Sequence, residues 1–114
     1  MKLSLARRAQ EVLKQAKARR LTLATVESCT AGSLGLLLAD APGAADSFHG
    51  GFIVYTKANK TAAVGVPAEL IEAHTAVSRE VAEAMARGGI ARCPADIAIA
   101  ITGVAGPEPD EDGN

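Results

Sequence analysis

Thr25-Val26-Glu27-Ser28-Cys29-Thr30-Ala31-Gly32-Ser33-Leu34 is the stretch on which the reading of this chain turns. The apolar run Leu21 to Val26 stops at Glu27. Small residues that hydrogen-bond through a short side chain or bare backbone follow: Ser28, Cys29, Thr30, Gly32 and Ser33. A second apolar run, Leu34 to Ala39, then resumes with helical character. Strand, polar small-residue turn, helix is an order that sets backbone N–H groups and a hydroxyl or thiol at a helix N-terminus. Such an end carries partial positive charge and attracts anions or a developing oxyanion.

Outward from this turn, the chain alternates helices and strands. Residues 4 to 19 read as an amphipathic helix, with Ser4 as N-cap and Leu5, Ala9, Val12, Leu13 and Ala16 forming a stripe expected to pack on a sheet. Leu21 to Val26 is the first strand. After the turn a helix runs to about Ala39 and ends in Asp40-Ala41-Pro42-Gly43. Gly50-Gly51-Phe52-Ile53-Val54-Tyr55 is the second strand, entered through paired glycines. Thr56 caps a helix from Lys57 to Val64, closed by Gly65, and Pro67 opens another through His74. Ser78 caps a helix with Val81, Ala84, Met85 and Gly88 on one side, its end blurred by Gly88-Gly89. Ile97 to Ile101 reads as a strand covered on both faces. The loop Thr102-Gly103-Val104-Ala105-Gly106-Pro107 and an acidic run follow.

This alternation predicts an α/β fold, a layered α/β/α arrangement with a largely parallel sheet, forming a single domain over residues 1–114. In such folds ligands sit beyond the carboxyl ends of the strands. The loops after Val26, Tyr55 and Ile101 all leave at those ends, so they are expected to converge on one crevice.

Composition narrows the function classes. Twelve Lys+Arg against thirteen Asp+Glu give a net charge of −1, which argues against nucleic acid as a partner. The charge is uneven: Arg7, Arg8, Lys14, Lys17, Arg19 and Arg20 crowd the first helix, while Glu108, Asp110, Glu111 and Asp112 crowd the end. Both clusters read most simply as solvated surfaces. Cys29 and Cys93 have no C-x-x-C spacing and no His at ligand distance, so neither a metal site nor a disulfide framework is expected. No apolar run approaches the ~20 residues of a membrane span, and Met1 to Arg8 lacks the features of a signal peptide. A cytoplasmic location without membrane contact is the expectation. An Ala-rich chain with only 3% aromatic residues leaves room for a helix–helix interface in a homo-oligomer.

From the residues alone, the nucleophile is open. Cys29 is the first choice, since a thiol near a helix N-terminus is acidified. Ser28 needs a base, for which Lys60 and Glu27 are the candidates. His49 and His74 lie in loop-like stretches and read as surface residues. The glycine loops match neither the Walker pattern nor the dinucleotide fingerprint.

Thr25 to Gly32, Pro42-Gly43, Gly50 to Tyr55 with Lys60, Gly65-Val66, Ala76-Val77-Ser78 and Ile101 to Pro107 occur in this order. Together they resemble the CinA carboxy-terminal domain family, the nicotinamide-nucleotide amidohydrolases. The resemblance implies hydrolysis of the carboxamide of nicotinamide mononucleotide, a pyridine nucleotide, to nicotinic acid mononucleotide and ammonia, without a cofactor. It places the nucleophile on Ser28 rather than Cys29, with Tyr55 and Lys60 as partners. It implies an oxyanion cradle at Cys29, Thr30, Ala31 and Gly32, each donor contributing about 3 kcal/mol. Ribose or phosphate would rest on Thr102, Gly103 and Gly106. Family members of this type continue beyond the Ala-Gly-Pro loop with a strand pair and a closing helix, so the chain is expected to be a stand-alone form truncated at its C-terminal end. The alternative is a non-catalytic nucleotide-binding or regulatory module related to competence and damage responses.

Overall fold

The structure, a computed structural model, describes residues 4–114. Met1 to Leu3, part of the stretch read above for a leader, lie outside them. Helix α1 spans Leu5–Ala18, β1 Leu23–Glu27, α2 Ser33–Ala39, β2 Phe48–Ile53, α3 Lys57–Val64, α4 Ala68–His74, α5 Arg79–Arg92 and β3 Ile97–Ile101. A single turn of 3-10 helix, Ala44–Asp46, precedes β2.

The three strands form a parallel sheet in the order β2-β1-β3. β1 is therefore central, and all five of its residues are buried. Side chains alternate between faces along a strand, and each face of β1 feeds its own core. Leu23 joins Ala9, Leu13, Ala16, Leu38 and Ala41 under α1 and α2. Val26 joins Val54, Val64, Val66, Val81 and Met85 under α3, α4 and α5. Helices cover both sides of the sheet, as the α/β reading requires.

Local capping behaves as the sequence anticipates. Ser4, Thr56 and Ser78 each accept a backbone N–H in the first turn of their helix, and Gly65 closes α3 at φ 70°. Three expectations need correction. The α1 stripe buries Ala9, Leu13 and Ala16, whereas Leu5 and Val12 stay exposed, because α1 packs chiefly on α2 and on Leu23 of β1. Helix α5 does not falter at Gly88-Gly89 but runs through to Arg92. A Cβ on Gly88 would fall on the Val64 carbonyl oxygen, and one on Gly89 would meet Val26, so these glycines let α5 approach α3 and β1 closely. Third, β3 is not covered on both faces: it is an edge strand, with Ile97 exposed and the rest half-buried.

Strand β2 also starts earlier than its glycines suggest. It pairs from Phe48, and the register slips by one residue between Leu23 and Ala24, leaving His49 unopposed. Gly51 faces the Thr25 carbonyl oxygen so closely that no Cβ fits. Val54 and Tyr55 thus lie just past the strand, where their carbonyls point at the site.

Candidate active site

Glu27, the last residue of β1, and Ser28, the residue after it, face opposite sides of the sheet. Glu27 turns toward α2. Its Oε1 accepts from the Thr30 hydroxyl at 2.6 Å and the Leu34 amide at 3.0 Å, and its Oε2 accepts from the Gly35 amide at 2.9 Å. The side chain is 1% exposed. Burial alone would push its carboxyl up. The hydrogen bonds from Thr30, Gly35, Leu34 and Gly32 outweigh that, and hold it below the usual carboxylate range. The positive end of α2 is therefore occupied by an internal carboxylate. Glu27 is not placed as the base for Ser28.

Ser28 turns the other way, toward α3. Lys60 donates from Nζ to Ser28 Oγ at 2.8 Å and to the Val54 carbonyl at 3.0 Å, with the Tyr55 carbonyl at 3.5 Å. Lys60 is 2% exposed and Ser28 4%. The pair forms because Thr56 caps α3 and sets Lys60 one turn in, while the last residues before the cap lay two carbonyls along its ammonium. Burial lowers the Lys60 pKa. Cys29 and Glu111 oppose that shift and the charge of Lys57 adds to it, leaving the pKa below its ordinary 10.5.

The turn itself is tight. Ala31 has φ 49° and Gly32 φ 99°, and Gly32 is the N-cap of α2. The Ala31 amide donates to the Ser28 carbonyl at 3.0 Å, and the Gly32 amide is directed at Glu27. That narrows the cradle anticipated from Cys29 to Gly32. Of the four amides from Cys29 to Gly32, those of Cys29 and Thr30 have no protein acceptor among the described residues.

A cleft of about 350 Å³ opens beside the pair, with Cys29, Tyr55, Lys60, Thr102, Gly103 and Gly106 in its walls. The loops after β1, β2 and β3 thus meet, as the parallel topology predicts. Tyr55 contributes its backbone carbonyl near Lys60, while its side chain is 64% exposed and its hydroxyl has no partner among the described residues. The Thr102 hydroxyl donates to the Ala76 carbonyl at 2.7 Å and so ties the loop to the start of the α5 cap. Gly103 lies against Cys29 Sγ, where a Cβ would come within 3.2 Å. His49 and His74 are exposed, and His74 pairs with Glu80 at 3.2 Å. Among the described residues no cluster of three His, Cys, Asp or Glu side chains could hold a metal ion, and no helix is long and apolar enough to cross a membrane.

Two features escaped the sequence reading. One is Glu27 as the lock of the turn, for which the signal was a carboxylate ending an otherwise uncharged strand. The other is Lys57, whose Nζ meets Asp112 at 2.8 Å and Glu111 at 3.6 Å.

The fold is a three-layer α/β domain with a buried Ser–Lys pair at the carboxyl end of its central strand, a hydroxyl set beside a desolvated amine. Comparison with known proteins gives the family. The model of the CinA C-terminal domain matches residues 5–114. This chain belongs to the CinA C-terminal domain family. A putative competence-damage inducible protein of Symbiobacterium thermophilum is 45% identical over 104 residues, covering 87% of this chain and 24% of that protein. A CinA-like protein of Mycolicibacterium gilvum is 55% identical over 86 residues, covering 75% of this chain and 20% of that protein. The chain thus spans about a quarter or less of the length of these relatives. Among solved structures, a competence-damaged protein (CinA) superfamily protein from Escherichia coli matches with a TM-score of 0.93 and 36% identity, over 99% of this chain and 68% of that one. The competence damage-inducible protein A from Klebsiella pneumoniae matches with a TM-score of 0.94 and 36% identity, over 97% and 69%.

Proposed function

We propose that this domain hydrolyses the carboxamide of nicotinamide mononucleotide, with Ser28 as nucleophile and Lys60 as its base. The observation that carries this reading is the 2.8 Å contact between Lys60 Nζ and Ser28 Oγ, with the lysine buried. A serine hydroxyl is a weak nucleophile until a base takes its proton, and a desolvated lysine is such a base.

Neutral Lys60 takes the proton of Ser28 Oγ as the oxygen bonds to the carboxamide carbon. The carbonyl π pair moves onto oxygen, giving a tetrahedral oxyanion within reach of the Cys29 and Thr30 amides. The Lys60 ammonium returns its proton to the departing nitrogen, the C–N bond breaks, and ammonia leaves. Water then attacks the acyl-serine, its proton passing to Lys60. Collapse of that second intermediate releases the carboxylate product and, with the proton from Lys60, restores the Ser28 hydroxyl. In this scheme Tyr55 supplies a carbonyl that holds the Lys60 ammonium and a ring at the cleft wall, while Thr102, Gly103 and Gly106 shape the nucleotide's resting place.

The test is ammonia release from nicotinamide mononucleotide by the wild type, Ser28→Ala and Cys29→Ala. The expected result is loss in Ser28→Ala and retention in Cys29→Ala. The reverse pattern overturns the assignment, and mononucleotide binding without turnover in the wild type would favour a regulatory module.

A further inference from the structure

The cleft carries a charge arrangement that hydrolysis at Ser28 does not use. Among the described residues lining it, the cations are Lys57 and Lys60. Lys60 is 2% exposed and turned inward to Ser28 and the Val54 carbonyl. Lys57, the first residue of α3, has a side chain 35% exposed at the cleft wall. It is the cation that an anionic ligand can reach.

That cation is already engaged. Asp112 takes it through both oxygens, at 2.9 and 2.8 Å, and Glu111 approaches at 3.6 Å. Both carboxylates belong to the last loop, whose Glu108, Asp110 and Glu111 also line the cleft. The loop has a second anchor: Asn114 donates from Nδ2 to Thr75 Oγ1 at 3.2 Å and to Asp110 Oδ2 at 3.1 Å. It is therefore fastened to α3 on one side and to the α4–α5 connection on the other.

We propose that Lys57 receives the anionic end of the cleft's ligand, in competition with Glu111 and Asp112, which pair with it. An ammonium pairs with carboxylate or phosphate as a point charge, so the two compete for one partner. An exposed pair of this kind is weak, so a dianionic phosphate monoester can displace it and lift the loop from the cleft. The choice of a phosphate-bearing ligand rests on the amidase reading, whereas the competition itself rests on the ion pairs.

Calorimetric titration separates these points. The 114-residue protein carrying Ser28→Ala, so that nothing is turned over, is titrated with nicotinamide mononucleotide and with nicotinamide riboside, which lacks the phosphate. Adding Glu111→Gln and Asp112→Asn should tighten the mononucleotide about tenfold and leave the riboside unchanged. Adding Lys57→Gln to those two should return the mononucleotide to the riboside's affinity. Equal tightening of both ligands, no change for the mononucleotide, or binding of neither ligand to any variant overturns the proposal. Ammonia release with Ser28 intact is read separately. Discriminating binding without turnover discards the amidase and keeps the latch, while turnover without discrimination does the opposite.

Discussion

Lys60 Nζ lies 2.8 Å from Ser28 Oγ and 3.0 Å from the Val54 carbonyl, so one buried amine is held between the hydroxyl it would activate and a fixed backbone anchor. The anchor matters as much as the contact, because it removes the rotamer freedom of a long side chain before any substrate arrives.

Replacing either member of the pair should therefore remove the chemistry rather than weaken binding. Ser28→Ala and Lys60→Met are each expected to lower kcat by about a thousandfold or more, with the double variant no worse than the singles. Lys60→Arg should fail to rescue, since a guanidinium stays protonated. Steady-state ammonia release checks this. Additive losses in the double variant would show that the two residues do not act as a unit.

The pH dependence has a defined sign. Lys60 must be deprotonated to accept the Ser28 proton, so kcat/KM should rise with pH through the Lys60 pKa, which burial holds below 10.5. Glu111→Gln removes a carboxylate that raises that pKa and should move the rising limb to lower pH. Lys57→Gln removes a repelling cation and should move it to higher pH. A limb unmoved by either change, or a flat profile, would discard Lys60 as base.

Tyr55→Phe distinguishes a hydroxyl relay from a carbonyl anchor. With the side chain 64% exposed and only the backbone carbonyl near Lys60, the variant should keep kcat within about tenfold of wild type. A loss matching that of Ser28→Ala would restore the hydroxyl to the mechanism.

Glu27 gives a stability prediction. Its folded pKa lies below its ordinary 4.5, so its contribution is fully present above that value and is lost as pH falls through the folded pKa. Glu27→Ala, which strands buried amides, should cost about 2–4 kcal/mol at neutral pH. The gap between wild type and variant should shrink in acid, below 4.5. Urea midpoints across that range measure it, and a gap independent of pH would contradict the carboxylate's role.

Gly88→Ala tests the close approach of α5. Helix propensity alone favours alanine by about 1 kcal/mol, yet the added methyl falls on the Val64 carbonyl. Net destabilisation of about 1–3 kcal/mol is expected. A stabilised variant would mean that α5 can shift away from α3 at no cost.

What was legible in the sequence follows from how far each signal has to reach. Ser4, Thr56, Ser78 and Gly65 act within one helical turn, and the sequence predicts each correctly. Ile97 to Ile101 is apolar enough to read as a strand, but its position at the sheet edge depends on pairing order, which no local pattern encodes. Gly88-Gly89 blurred the end of their helix in the sequence because their purpose, contact with Val64 and Val26, lies outside the helix. The residues alone offered Lys60 and Glu27 as bases for Ser28 but favoured Cys29 as the nucleophile, and it was the resemblance that chose Ser28 with Lys60. Glu27 was weighed as a base because its proximity in sequence to Ser28 hides that the two point to opposite faces.

That opposition has a consequence for how variation at this site would be read. A single peptide bond separates the group that fastens the turn from the group proposed to attack. A survey of substitutions should find adjacent positions with unrelated phenotypes: damage at Glu27 visible in melting curves and expression yield, and damage at Ser28 silent in both, surfacing only when product is counted.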